Sequence, residues 1–304
     1  MIQKRFDPDT HYAIQQLYPP VNLGHVRRKF IDLPYASRSP AQKLDIYLPE
    51  EGKDPFPVIL SIHGGAFMGC DKSDGQVLPM LEGLQRGYAV VAINYRLSWE
   101  AIFPALVQDA KAAVRWVRAN ARRYQFDPGR IAAWGGSAGG YQSAMLGTSA
   151  GVSDLEDLSL GNQDQPCNVQ AVVAWYGPTN FLQMDEYLAA SGLLPPPGFR
   201  HSEANSPESL LLGQLITEIP DRVKAANPET YIHQGMPPFL LQHGVRDAVV
   251  PVQCSIEFAA KLQRVLGEDR IKLDLIEDAE HGDPKFETPE NVKRVLDFLD
   301  KHLK

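Results

Sequence analysis

Cysteine is scarce in this chain, and its three copies, Cys70, Cys167 and Cys254, are odd in number, far apart and in no metal-ligand spacing. That excludes a disulfide framework and a structural zinc site, and the thiols read as buried or idle. No stretch reaches the roughly 18 consecutive apolar residues that a membrane span needs. The opening Met1-Ile2-Gln3-Lys4-Arg5-Phe6-Asp7 lacks the apolar core and small-residue cleavage site of a secretory leader, so a soluble, cytoplasmic protein is expected. Basic residues are outnumbered, 30 Lys plus Arg against 37 Asp plus Glu, for a net charge of −7. That balance argues against nucleic acid or an anionic membrane as partner and favours a neutral small molecule. Internal repeats and low-complexity tracts are missing as well, and nothing in the composition marks a domain break.

What is present is enough apolar residue, 44% of 304, to bury one large core, and one domain over 1–304 is expected. Short runs rich in β-branched residues alternate with helical patterns, the signature of a mostly parallel sheet covered on both faces. The strand candidates are 42–48, 58–62, 88–93, 131–134, 171–175, 239–242 and 272–276, with 26–32 as a first antiparallel strand, making eight. After Phe103-Pro104, Leu106, Ala110, Ala113 and Val117 form an apolar helical stripe. Thr288 caps a last helix with Pro289 at its first position and Val292, Val295, Leu296, Leu299 and Leu303 along one face. Val249-Val250-Pro251 leads into another helix, with Pro251 in its first turn. The polar stretch 150–168 and the segment 178–237 break the rhythm. The latter, with a helical patch around Ser209–Ala226, reads as a cap inserted over the core. Residues 1–24 are expected to lie over the same side.

The strongest local signal is Trp134-Gly135-Gly136-Ser137-Ala138-Gly139-Gly140, a G-x-S-x-G between an apolar strand and a helix-compatible run. A tight strand-to-helix turn pushes Ser137 out at the strand end. Gly135 and Gly139 are where a Cβ would strike neighbouring backbone. The helix N-terminus favours developing negative charge, and the Ala138 N–H points at the site. Upstream, strand 58–62 runs into His63-Gly64-Gly65-Ala66-Phe67, whose glycines let backbone approach closely. Gly64, Gly65 and Ala66 are therefore the candidate oxyanion donors beside Ala138. His63 is expected to hold that loop by hydrogen bonds rather than act as base.

Chain order prunes the eight histidines, because hydrolases with this turn run nucleophile, acid, histidine. His281 follows the last strand candidate and fits the base, with His243 as competitor because it also ends a strand. Asp247, after the strand and glycine turn Phe239–Gly244, fits the acid that fixes the histidine tautomer. Its alternative occupation is capping the next helix. Glu277, Asp278, Glu280 and Asp283 are rival acids too near His281 in sequence to aim well at the ring. Phe67, Met68, Trp99, Tyr141 and Tyr176 are candidate substrate-pocket residues for a small acyl group or an aromatic acid, although each is also ordinary core material.

Together these pieces resemble the hormone-sensitive-lipase-like carboxylesterases, and most of all their acetyl-xylan and feruloyl esterase branch. The resemblance is carried by Leu44-Asp45-Ile46-Tyr47-Leu48-Pro49, the His63-Gly64-Gly65 turn, Asn94-Tyr95-Arg96-Leu97, the Phe103–Arg118 helix, the Gly135–Gly140 turn and the strand ending in Asp247. Ser206–Gly213 and Ala225-Ala226-Asn227-Pro228 resemble that branch's cap. Two departures stand out: the third glycine of the family's His-Gly-Gly-Gly turn is Ala66, and the acidic residue that often precedes the nucleophile is Gly136. The resemblance implies an α/β-hydrolase fold and a serine esterase acting on acetyl- or feruloyl-type esters, including acylated carbohydrate, through an acyl-enzyme. No metal or organic cofactor is expected, and a homodimer is left open. The same equipment serves amidases, kynurenine formamidase-like enzymes and peptidases. A ligand receptor that has lost its chemistry would show an incomplete triad.

Overall fold

The computed structural model describes residues 18–52, 55–197 and 200–304. Its strands are β1 (Lys29–Pro34), β2 (Lys43–Tyr47), β3 (Phe56–Ile62), β4 (Ala89–Ile93), β5 (Phe126–Gly136), β6 (Ala171–Trp175), β7 (Phe239–Gly244) and β8 (Ile271–Ile276). They form one sheet in the order β1-β2-β4-β3-β5-β6-β7-β8. β1 and β2 pair antiparallel, β2 meets β4 antiparallel, and every later pair is parallel. Every residue of β3, β4, β6 and β7 is buried. That is why these strands read as continuous apolar runs rather than alternating ones.

Successive residues of a strand face opposite sides. Val58, Leu60 and Ile62 of β3 enter the larger core, which is covered by α1 (Ala105–Ala119), α2 (Ala138–Thr148) and α6 (Gln253–Leu266). Ile59 enters the second core, beneath α7 (Pro289–Leu303). Each such aliphatic side chain contributes about 1.5–3 kcal/mol by burial, which places most of the stability in the sheet centre. The expected stripe of α1 is observed, since Leu106, Ala110, Ala113 and Val117 are all buried. Thr288 caps α7, its hydroxyl accepting the Asn291 N–H. The three cysteines are free and buried.

Several boundaries differ from expectation. β1 starts three residues later than 26–32. β5 begins at Phe126, not 131, because Phe126 already pairs with Phe56 before a register shift; in the shifted stretch the Asp127 side chain accepts the Gly129 N–H at 2.8 Å. Pro251 precedes α6 instead of lying in its first turn, and its carbonyl accepts the Cys254 N–H. The helical patch at 209–226 is two helices, α4 (Pro207–Leu212) and α5 (Pro220–Ala226), because Gly213 takes φ +73° and stops the first. With α3 (Met184–Ser191) they supply the helical part of 178–237. The polar stretch 150–168 forms short turns anchored by buried Arg115. Its guanidinium donates to Gly161 O at 3.1 Å, Asp157 O at 2.8 Å and the Glu156 carboxylate at 2.9 Å.

The expected N-terminal contribution from 1–24 lies outside the described residues as far as residue 17. From Tyr18 onward the chain runs along Ser73 and Asp74, with Val21 N donating to Ser73 O at 3.0 Å. Among the described residues no helix is long and apolar enough to cross a membrane.

Candidate active site

Ser137 occupies the junction of β5 and α2 with φ 56° and ψ −121°, a conformation that costs a non-glycine residue about 1–3 kcal/mol. Glycines permit it. A Cβ at Gly139 would lie 2.0 Å from the Ile62 carbonyl oxygen, and one at Gly135 would lie 2.5 Å from the same atom. The neighbours are backbone and cannot turn away, so the sequence expectation for these two positions holds.

The structure brings Ser137, His281 and Asp247 together from three loops at the same end of the parallel strands. His281 Nε2 stands 3.0 Å from Ser137 Oγ, and its Nδ1 stands 2.7 Å from Asp247 Oδ2. Because a carboxylate can only accept, Nδ1 carries the proton and Nε2 offers its lone pair to the hydroxyl. Asp247 is completely buried. Burial pushes its carboxyl up, but the His281 charge and the hydrogen bonds from His243 and His281 outweigh that and hold it well below the usual carboxylate range. Its Oδ1 accepts the N–H groups of Val249 and Val250, both at 2.8 Å. The helix-capping role weighed for Asp247 therefore goes to its own loop, and the competing His243 contacts Asp247, Val250 and Ser255 but makes no hydrogen bond to Ser137.

Opposite the serine, the loop after β3 bends through Gly65, Ala66 and Phe67, with φ of 104°, 53° and 64°. Among the described residues no protein acceptor engages the N–H groups of Gly65 or Ala66. The Ala138 N–H stands at the N-terminus of α2, where it lacks an intrahelical partner. Gly64 is a correction: its N–H donates to Gln76 Oε1 at 2.7 Å and is not free for a substrate oxygen. Position 64 nevertheless needs glycine, as an added Cβ would be 2.9 Å from Gly136 O. His63 behaves as expected. Its Nδ1 donates to Gly64 O at 2.8 Å and its ring stacks on Tyr95, while burial lowers its pKa and keeps it neutral.

The candidate pocket residues divide. Tyr176, at φ 37°, sets its ring edge-to-face with His281, centroids 4.9 Å apart. Its hydroxyl fills the space beside Gly136, where an added Cβ would lie 2.7 Å from Oη; that is why an acidic side chain is missing there. Met68 is half-buried on the loop after β3, and Trp99 lines a surface cleft with His63, Asp71, Asn94, Tyr95 and Glu100. Phe67 and Tyr141 are corrected to core, since they pack on each other and on Phe181 with almost no surface left for a ligand. The Tyr141 hydroxyl donates to Ala226 O at 2.8 Å and ties α2 to α5. Two residues escaped the sequence reading. Gln76 carries no motif, and Tyr18 places its hydroxyl where a Cβ on Gly282, next to His281, would come within 2.9 Å.

The sheet order, the strained serine between β5 and α2 and the imidazole at its hydroxyl define an α/β-hydrolase. More narrowly, the chain belongs to the BD-FAE family, whose model matches residues 44–262. It is 32% identical to the probable carboxylic ester hydrolase LipM of Mycobacterium tuberculosis over 77% of this chain and 52% of that protein. Among solved structures it is similar to a truncated carbohydrate esterase from gut microbiota, with TM-score 0.80 and 32% identity, covering 93% of this chain and 99% of the other. It is also similar to Thermogutta terrifontis esterase 2 phosphonylated by sarin, with TM-score 0.71 and 26% identity over 92% and 98% of the two chains. The chain spans about half the length of the curated relatives it matches first.

Proposed function

We propose that this protein is a serine carboxylesterase with Ser137 as nucleophile, His281 as general base and then acid, and Asp247 as the group that orients His281. The observation carrying the reading is the imidazole of His281 bridging Ser137 Oγ and Asp247 Oδ2 at 3.0 and 2.7 Å. Ser137 attacks an ester carbonyl while His281 takes its proton. The tetrahedral oxyanion is held by the N–H groups of Gly65, Ala66 and Ala138, and His281 hands the proton to the leaving alkoxide. Water, deprotonated by the same imidazole, then cleaves the acyl-enzyme. Each oxyanion donor is worth about 3–4 kcal/mol in the transition state.

The substrate class is a short-chain acyl or aromatic ester, including esters on carbohydrate. Similarity to an esterase named for carbohydrate supports the alcohol side, and the aromatic ring of Tyr176 against His281 supports a small or flat acyl group. Residues 178–237 serve as a cap on one domain. Phosphonylation of the Thermogutta esterase by sarin supports an activated hydroxyl here.

The test is Ser137→Ala. Hydrolysis of p-nitrophenyl acetate should fall by about 10⁴-fold or more with the fold unchanged, and a fluorophosphonate probe should label the parent chain but not the variant. Comparable turnover in the variant overturns the reading. Acetyl esters of increasing chain length, a feruloyl ester and N-formylkynurenine at equal concentration then separate ester from amide chemistry and fix the acyl preference.

A further inference from the structure

Behind Asp247 lies a second histidine that the reaction does not use. His243 is the penultimate residue of β7 and is completely buried, as is Asp247. Its Nε2 stands 2.8 Å from the Val250 carbonyl oxygen and 3.3 Å from Asp247 Oδ2, while Nδ1 stands 2.7 Å from Ser255 Oγ on α6. Both neighbours of Nε2 can only accept, so the ring proton is on Nε2 whatever the state of Nδ1. Neutral Nδ1 then accepts the Ser255 hydroxyl proton, which locks the ring plane and the tautomer. Ser255 orients His243 by donating to its Nδ1, the reverse of Asp247, which accepts from Nδ1 of His281.

The connections close a loop around the carboxylate. The Val250 N–H donates to Asp247 Oδ1, the Val250 carbonyl accepts from His243, and His243 also reaches Oδ2, the oxygen that takes the His281 proton. We propose that His243, oriented by Ser255, is a positioning residue that fixes both the Val250 peptide and the Asp247 carboxylate so that Oδ2 faces His281 Nδ1. The proposal rests on the serine esterase reading. A buried histidine that merely satisfies Val250 O would affect folding but would leave the chemistry of folded molecules alone, and the two can be told apart. A carboxylate released from this hold stabilises the imidazolium of His281 less well.

The experiment is steady-state hydrolysis of p-nitrophenyl acetate across pH by full-length His243→Phe, His243→Gln and Ser255→Ala. For His243→Phe, kcat should fall about 10- to 100-fold at unchanged KM, with the acid limb of kcat/KM displaced to lower pH. His243→Gln, whose amide N–H reaches the place of Nε2–H, should recover most of the loss, and Ser255→Ala should move both quantities in the same direction by less. A folded His243→Phe with parental kcat and an unmoved acid limb overturns the proposal, as does His243→Gln no better than Phe. If His243→Phe does not fold, unchanged kcat and acid limb in Ser255→Ala overturn it instead. Stoichiometric fluorophosphonate labelling of the parent chain, lost in Ser137→Ala, tests the nucleophile separately, so failure of the esterase reading is distinguishable from failure of this one.

Discussion

The side-chain carbonyl of Gln76 accepts the Gly64 N–H at 2.7 Å and so ties the loop after β3 to a turn twelve residues further along the chain. Gln76 is itself held by Asp74, whose carboxylate accepts its backbone N–H at 2.9 Å and its side-chain amide at 3.1 Å. The proposed donors Gly65 and Ala66 follow directly after Gly64, so their aim depends on this tether. Gln76→Ala should lower kcat for p-nitrophenyl acetate roughly 10- to 100-fold with little change in KM, since an ångström of misplacement costs that much. A variant with parental kcat would mean that the loop holds its shape without Gln76.

Gly136 and Tyr176 share one space. Gly136→Ala would set a Cβ 2.7 Å from Tyr176 Oη and 2.9 Å from Cζ, so the ring must leave its place against His281 and Phe286. A loss of about 1–3 kcal/mol in urea unfolding is expected. In a Tyr176→Ala background the same substitution should cost close to nothing. The coupling between the two positions, read from the double-mutant cycle, is the quantity to measure. Additive costs would refute the steric account.

The cost at Gly139 should be larger, because the obstacle is backbone. A Cβ 2.0 Å from Ile62 O can be relieved only by parting α2 from β3, and Gly139→Ala should give more than about 3 kcal/mol of destabilisation or no folded protein. Gly129→Ala is the control, since its nearest neighbour is the Asp127 side chain at 3.3 Å. Similar urea midpoints for the two variants would show that the turn is looser than its contacts imply.

These residues also mark what the sequence could disclose. β4 and β6 were legible because Ala-Val-Val-Ala-Ile and Ala-Val-Val-Ala-Trp are runs buried on both faces, a local property of five residues. The serine turn was legible because glycine at 135 and 139 is a steric requirement written in consecutive letters. Gln76, Tyr18 and Ser255 were not, since each acts through one hydrogen-bonding or packing partner that only tertiary folding supplies. Phe67 and Tyr141 show the reverse limit: aromatic residues near a site read alike whether they line it or lie beneath it. Gly64 failed for a third reason, since a glycine's closeness to Ser137 is set by the turn, whereas the direction of its N–H is set by a glutamine elsewhere.

His201, between α3 and α4, is buried with Nε2 donating to Val249 O at 2.9 Å, and thus links 178–237 to the Asp247 loop. Its Nδ1 lies 3.1 Å from Glu208 Oε2, an ion-pair distance off the hydrogen-bonding line, while Asp185 accepts the His201 N–H. Burial alone would lower the pKa of His201, but the charge and contact of Glu208, then Asp185 and the Val249 carbonyl, raise it above its ordinary value. A group whose pKa is higher folded than unfolded stabilises the fold while protonated. Its contribution is therefore complete below about pH 6.5 and fades as pH rises through the raised folded value. Urea unfolding of the parent chain and of Glu208→Gln across that range should give a stability difference favouring the parent at acid pH and narrowing toward alkaline pH. A difference that stays constant, or widens with rising pH, would show that His201 is held neutral and that Val249 alone fixes it.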